Sequence, residues 1–202
     1  MASVLKVRPR SAQEIENIAC KVIKSFQPDA LRMLTSFDVE GFFEFELKKQ
    51  TEVEPDTKDF PDGIDGYTNI EEMKCYISLK LMEYGESEVI RRKLRATQAH
   101  EIGHCFLHVE DARRNRKFQQ KFVNDHQSSL KMYNPDDLKA YENPEWQAWR
   151  FASALLMPER CFMRAVECNW TKKKIKYAFD VNPSFIEVRL RELKVSKRLR
   201  NG

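Results

Sequence analysis

The sequence predicts an α+β fold, with a short antiparallel or mixed sheet packed beside a histidine-bearing helix and a mostly helical C-terminal part. Three stretches carry this reading. "MKCYISLKL" alternates Met73, Cys75, Ile77, Leu79 and Leu81 with Lys74, Tyr76, Ser78 and Lys80, the period of a half-buried strand. "RATQAHEIGHCFLH" sets His100, His104 and His108 at helical spacing, and "PEWQAWRFASALLMP" carries an apolar helical face of Ala148, Phe151, Ala152, Leu155 and Leu156.

The elements follow in order along the chain. Ser11 with Glu14 three residues later forms a capping box, and Ile15, Ile18, Ala19, Val22 and Ile23 recur at helical spacing, so a helix runs from about Ala12 to Ser25. Asp38 caps a second, short helix carrying Val39, Phe42, Phe43 and Leu47. "TEVEPDTKDFPDGIDG" collects prolines, glycines and aspartates and reads as loop with short strands at most. The strand around Ile77 comes next, then the histidine helix. The polar segment 111–141 reads as a partly helical insertion or lid. Asn143 and Pro144 supply an N-cap and a proline at the first helical position, and Pro158 ends that helix.

Composition bounds the function. The 202 residues are 42% hydrophobic and 33% charged, a globular balance sufficient for one compact domain with a real core. No apolar run reaches the roughly 20 residues of a membrane span, and the N-terminus has no signal-peptide stretch, so the expected location is cytoplasmic, without membrane partners. Cys20, Cys75, Cys105, Cys161 and Cys168 form an odd, scattered set with no CxxC pair, which suggests neither a cysteine zinc knuckle nor a disulfide framework. The net charge is +4, but residues 172–202 alone hold ten basic residues against three acidic ones.

On a helix, His100 and His104 lie one turn apart on one face, about 6 Å along the axis, so both imidazoles can reach one ion. With Glu101 beside them this is the HExxH arrangement, in which the glutamate acts on water rather than on the metal. His108 sits about 12 Å along the axis from His100, too far for the same coordination sphere, and is read as a supporting or packing histidine. A catalytic zinc takes three protein ligands. Glu145, at the positive end of the next helix, is the first choice for the third, with Glu142, Glu159 and His126 as rivals.

"RATQAHEIGHCFLH" followed by "EWQAWRFASALLMP" resembles the ImmA/IrrE family of intracellular zinc metallopeptidases, more loosely also over "IENIA" and "FDVNPSFIEVRLREL". The resemblance implies a zincin-like metallopeptidase domain, here residues 1–170. It implies Zn2+ bound by His100, His104 and Glu145, with Glu101 as the acid/base that helps zinc-activated water attack a peptide bond. The substrate it implies is a specific intracellular protein, a DNA-binding repressor, in stress response or the induction of mobile elements. Trp149 stands where the family usually has asparagine, and Ala96 where it usually has an aromatic. His126, Tyr133, Tyr141 and Arg95 are candidates for a second oxyanion donor.

Two further expectations concern recognition. An exposed edge at Tyr76, Ile77 and Ser78 can pair with an extended substrate through main-chain hydrogen bonds, although an inner strand reads equally well. Residues 171–202 form a basic, helix-turn-helix-like extension. Arg189, Arg191 and Lys194 could meet DNA bases and Lys172 to Lys174 phosphates. The competing reading, a helical hairpin packed on the catalytic part, is favoured. A DNA-associated or partner-binding regulator with a non-catalytic metal site is the alternative function.

Overall fold

The computed structural model describes residues 7–83, 87–109, 111, 139–195 and 199. Most of the insertion expected at 111–141, with His126 and Tyr133, lies outside them.

Helix α1 (Ala12–Phe26) begins at the capping box, where the Ser11 hydroxyl accepts from the Glu14 N–H and the Glu14 carboxylate accepts from the Ser11 N–H. Its buried stripe is Ile15, Glu16, Ala19, Val22 and Ile23, and one of these is a carboxylate. Asp38 caps α2 (39–51), whose middle turn, Phe42–Glu46, is π-wound. Val39, Phe42, Phe43 and Leu47 face the core as the spacing predicts.

Three strands follow: β1 (Glu54–Lys58), β2 (Gly66–Asn69) and β3 (Lys74–Ser78). Their order is β1-β3-β2, with β1 parallel and β2 antiparallel to β3, so the sheet is mixed. This corrects the edge expected at Tyr76, Ile77 and Ser78. Those residues lie on the central strand: Tyr76 and Ile77 pair with β1 on one side and β2 on the other, and Ser78 pairs with β1 while its N–H donates to the Asp65 carbonyl oxygen. The alternation also fails in burial, since Cys75, Tyr76, Ile77 and Ser78 are all buried. The strand stops at Ser78, and Leu79 and Leu81 belong to α3 (Leu79–Glu83).

Helix α4 (Glu88–His104) carries the HExxH residues and continues through a π turn, Cys105–Val109. Helix α5 (Pro144–Leu156) starts at Asn143, whose side chain accepts from the N–H groups of Glu145 and Trp146. The two helices cross at Gly103. A Cβ there would lie 3.1 Å from the Ala148 carbonyl oxygen and 3.2 Å from Phe151 Cβ, so glycine permits this close approach. Helix α5 is packed on several sides, and Gln147, Ala148 and every residue from Arg150 to Leu156 are buried.

Three more helices complete the C-terminal part: α6 (Glu159–Glu167), α7 (Lys172–Phe179) and α8 (Pro183–Glu192). Ile175 and Phe179 of α7 and Ile186 and Leu190 of α8 join the same hydrophobic core as α1 and α5. Asp180, in the left-handed region at φ 51°, ends α7 and pairs with Arg91 and Arg92 of α4, while Arg95 approaches it at 3.2 Å. Arg189, proposed above for DNA, is fully buried and clamps Glu16 of α1 through Nη2, at 2.9 and 2.7 Å from its two carboxylate oxygens. It cannot reach a groove. Lys172 pairs with Glu187, while Lys173, Lys174, Arg191 and Lys194 remain exposed. Among the described residues no helix is long and apolar enough to cross a membrane.

Candidate metal centre

The α4–α5 crossing brings side chains from two helices to one point. His100 and His104 come from successive turns of α4, and Glu145 comes from the first turn of α5. His104 Nε2 is 3.0 Å from His100 Nε2 and 3.4 Å from a Glu145 carboxylate oxygen, while His100 Nε2 is 3.2 Å from the other oxygen. Among the described residues these three form the group of His, Cys, Asp and Glu side chains able to hold a metal ion. Glu142 and Glu159 do not join it. The Glu159 N–H instead donates to Glu16 on α1.

The chemistry of the donor set suits a cation. Two imidazole nitrogens and a carboxylate meet at 3.0–3.4 Å, and a positive ion between them replaces repulsion among lone pairs with coordination. The Glu145 carboxyl is held below the usual range by its hydrogen bond with His100, against the opposing effect of burial. Burial, aided by the neighbouring His100, pushes His104 down to about 4, so its ring is neutral at physiological pH, as a ligand must be.

Glu101 faces the sheet side of this cluster. The Thr68 hydroxyl on β2 donates to Glu101 Oε2 at 2.7 Å. At Gly66 a Cβ would fall 2.9 Å from both Cγ and Oε1 of Glu101, so the strand can approach the carboxylate only because it carries no side chain there. Burial pushes the Glu101 carboxyl up to about 7, partly countered by the charge of His100 and by the Thr68 hydrogen bond. A carboxyl poised there can both take and return a proton near neutral pH.

Support behind the histidines comes from two directions. The Trp149 ring lies 4.2 Å from that of His100 and also meets Phe185 of α8, so the tryptophan braces His100 rather than Glu145. His104 Nδ1 is 2.9 Å from His108 Nδ1, and His108 Nε2 is 3.3 Å from Gln147 Oε1. Burial, with the charge of His104 next, drives His108 well below the ordinary histidine value. By contrast, His100 Nδ1 is buried and meets no hydrogen-bond partner among the described residues.

Sequence reasoning missed Gly66, Thr68 and Gln147. "GYTN" carries no metal or acid/base spacing, and Gln147 reads as one more polar residue of an amphipathic helix. Of the expected oxyanion donors, Arg95 is turned away, since its guanidinium donates to the Phe37 and Asp180 carbonyl oxygens. Tyr141 is exposed, with its ring under Lys139.

Residues 92–191 match the Peptidase_M78 family, described as "IrrE N-terminal-like domain". No curated protein matches the chain in sequence. Among solved structures, a Mycobacterium tuberculosis transcriptional regulator resembles it with a TM-score of 0.55 at 14% identity, over 94% of this chain and 49% of that one. The likeness is one of fold alone, and this chain spans about half the length of that structure.

Proposed function

The chain belongs to the ImmA/IrrE family of metallopeptidases, and from that premise we propose that it is a zinc-dependent endopeptidase acting on a specific protein inside the cell. The observation that carries the reading is the convergence of His100, His104 and Glu145 beside a buried glutamate, Glu101. His100, His104 and Glu145 are the residues that would hold Zn2+.

When bound, zinc supplies Lewis acidity to a peptide carbonyl and makes water ionise near neutral pH. Glu101 takes the proton of the attacking water and delivers it to the leaving amine, a task suited to a carboxyl raised to about 7. Thr68 holds Glu101 Oε2 by its hydrogen bond. Substrate pairing, expected at Tyr76, Ile77 and Ser78, belongs on this reading to β2, the edge strand that bears Gly66 and Thr68.

The proposed substrate is a DNA-binding transcriptional repressor. Support comes from the family resemblance and from the regulator that shares the fold. Stress response and induction of mobile elements are the settings that resemblance suggests. The DNA-binding alternative is weakened by the burial of Arg189.

The test pairs metal content with cleavage, in wild type, Glu101→Gln and Glu145→Ala. Expected are about one zinc per chain in wild type and Glu101→Gln and much less in Glu145→Ala. Fragments of a co-incubated repressor, identified by mass spectrometry, should appear with wild type alone. A wild-type protein that takes up no metal when zinc is supplied sinks the peptidase reading.

A further inference from the structure

The direction of one hydrogen-bond chain behind the metal centre can be read without seeing a single hydrogen. It starts at Gln147. The side-chain Nε2 of Gln147 lies 2.8 Å from the Arg8 carbonyl oxygen and 2.7 Å from that of Tyr141. Carbonyl oxygens only accept, so the amide orientation is fixed and Gln147 Oε1 must point the other way. There it meets Arg10 Nη1 and His108 Nε2, each at 3.3 Å. Arg10 is itself anchored by Asp111 at 2.7 Å.

An amide oxygen only accepts as well. His108 Nε2 therefore carries a proton and donates it to Gln147. In a neutral imidazole the other nitrogen then has a free lone pair. That nitrogen, His108 Nδ1, is 2.9 Å from His104 Nδ1. The only arrangement that makes this contact a hydrogen bond has His104 Nδ1–H donating. His104 is then left with a bare lone pair on Nε2, the atom facing His100 and Glu145.

We propose that His108 is a positioning residue that fixes His104 in its Nδ1–H tautomer and so commits His104 Nε2 to the metal ion, with Gln147 setting the direction of the chain. This deepens the metal-site reading above and rests on it. His100 has no such partner at its Nδ1 among the described residues, so the two ligand histidines differ in that only His104 is held from its remote nitrogen. A donor at the remote nitrogen that is held by an acceptor orients the ring and raises its basicity. Loss of such support typically lowers metal affinity about tenfold to a hundredfold.

The experiment uses histidine labelled with 15N and reads the tautomer of each ring in the metal-free protein from long-range proton–nitrogen correlations. Signals are assigned by single substitutions. His104 is expected as pure Nδ1–H and His108 as pure Nε2–H in wild type. In His108→Leu, which removes the acceptor, His104 should become a tautomer mixture, and zinc affinity measured by competition with a chelator should fall about tenfold to a hundredfold. His108→Gln, which restores an oxygen acceptor, should recover most of that affinity and provides a second variant should the leucine protein fold poorly. Finding His104 protonated at Nε2 in the wild type overturns the proposal, as does unchanged zinc affinity in both variants. The tautomer readout needs no metal and no substrate. A protein that fails to bind zinc yet shows His104 as Nδ1–H therefore refutes the peptidase reading and leaves the hydrogen-bond chain standing.

Discussion

Single contacts carry much of the proposed chemistry. Thr68 makes the short hydrogen bond to Glu101, and a hydrogen bond to a charged group is worth about 1.5–3 kcal/mol. Thr68→Val should therefore lower kcat about tenfold to a hundredfold while zinc content stays at the wild-type level; a kcat within twofold of wild type would show that the contact is incidental. Asp180 gives a pH dependence. Burial pushes its carboxyl up, but the hydrogen bond from Arg91 and the charges of Arg95, Arg91 and Arg92 outweigh this and hold it below the usual carboxylate range. Its folded pKa is thus lower than its unfolded one, so its contribution to stability is present above about 4 and lost as pH falls through the depressed value. Acid titration of unfolding should show Asp180→Asn less stable than wild type at pH 7, with the difference shrinking toward pH 2. A constant difference across that range would refute the assignment. The sequence announced His100, Glu101 and His104 because their spacing on one helix is a local property. Thr68 was invisible because its relation to Glu101 exists only once a strand 33 residues away is laid across the helix.

At the level of elements, the decisive contact is the α4–α5 crossing. Gly103 lies one residue before His104, and Ala148 lies three after Glu145, so the distance between these helices is also the distance between the ligands they bring. Gly103→Leu forces the backbones apart at a point where even a Cβ would be tight. Overpacking of this kind costs about 1–3 kcal/mol. Calorimetry should show the lower stability, and chelator competition should show weaker zinc binding because Glu145 is carried away from the histidines. Retained affinity would mean that the crossing does not set the site. Caps and periodicity made α1, α2, α4 and α5 legible, since Ser11, Asp38 and Asn143 each mark a start with a side-chain acceptor. The strand was legible only in place. "MKCYISLKL" alternates like a half-buried strand, yet Cys75, Tyr76, Ile77 and Ser78 of β3 are all buried. The pattern of one strand does not say how many neighbours it has.

For the molecule as a whole, the C-terminal helices are tied into the core by buried charge as well as by apolar contact. Arg189 is fully buried against Glu16, and breaking such a pair from one side costs about 3–5 kcal/mol because a charge is left without its partner. Glu16→Ala should lower Tm by roughly 10 °C at this chain length, whereas replacing both Glu16 and Arg189 by methionine should cost much less. Equal losses in the single and double variants would show that packing rather than charge governs the contact. Charge counting kept nucleic acid open beside the favoured packed hairpin, because it cannot tell a solvated arginine from one already matched. The partner of Arg189 sits in the first helix, beyond the reach of any local pattern.

That pairing joins residues 173 positions apart. On a ribosome, Glu16 would emerge and α1 could coil, yet its buried carboxylate would wait for its counter-charge until nearly the whole described chain had been synthesised. The core is therefore complete only once Arg189 has been made, and until then a nascent chain carries its HExxH segment without the full architecture that closes around the site.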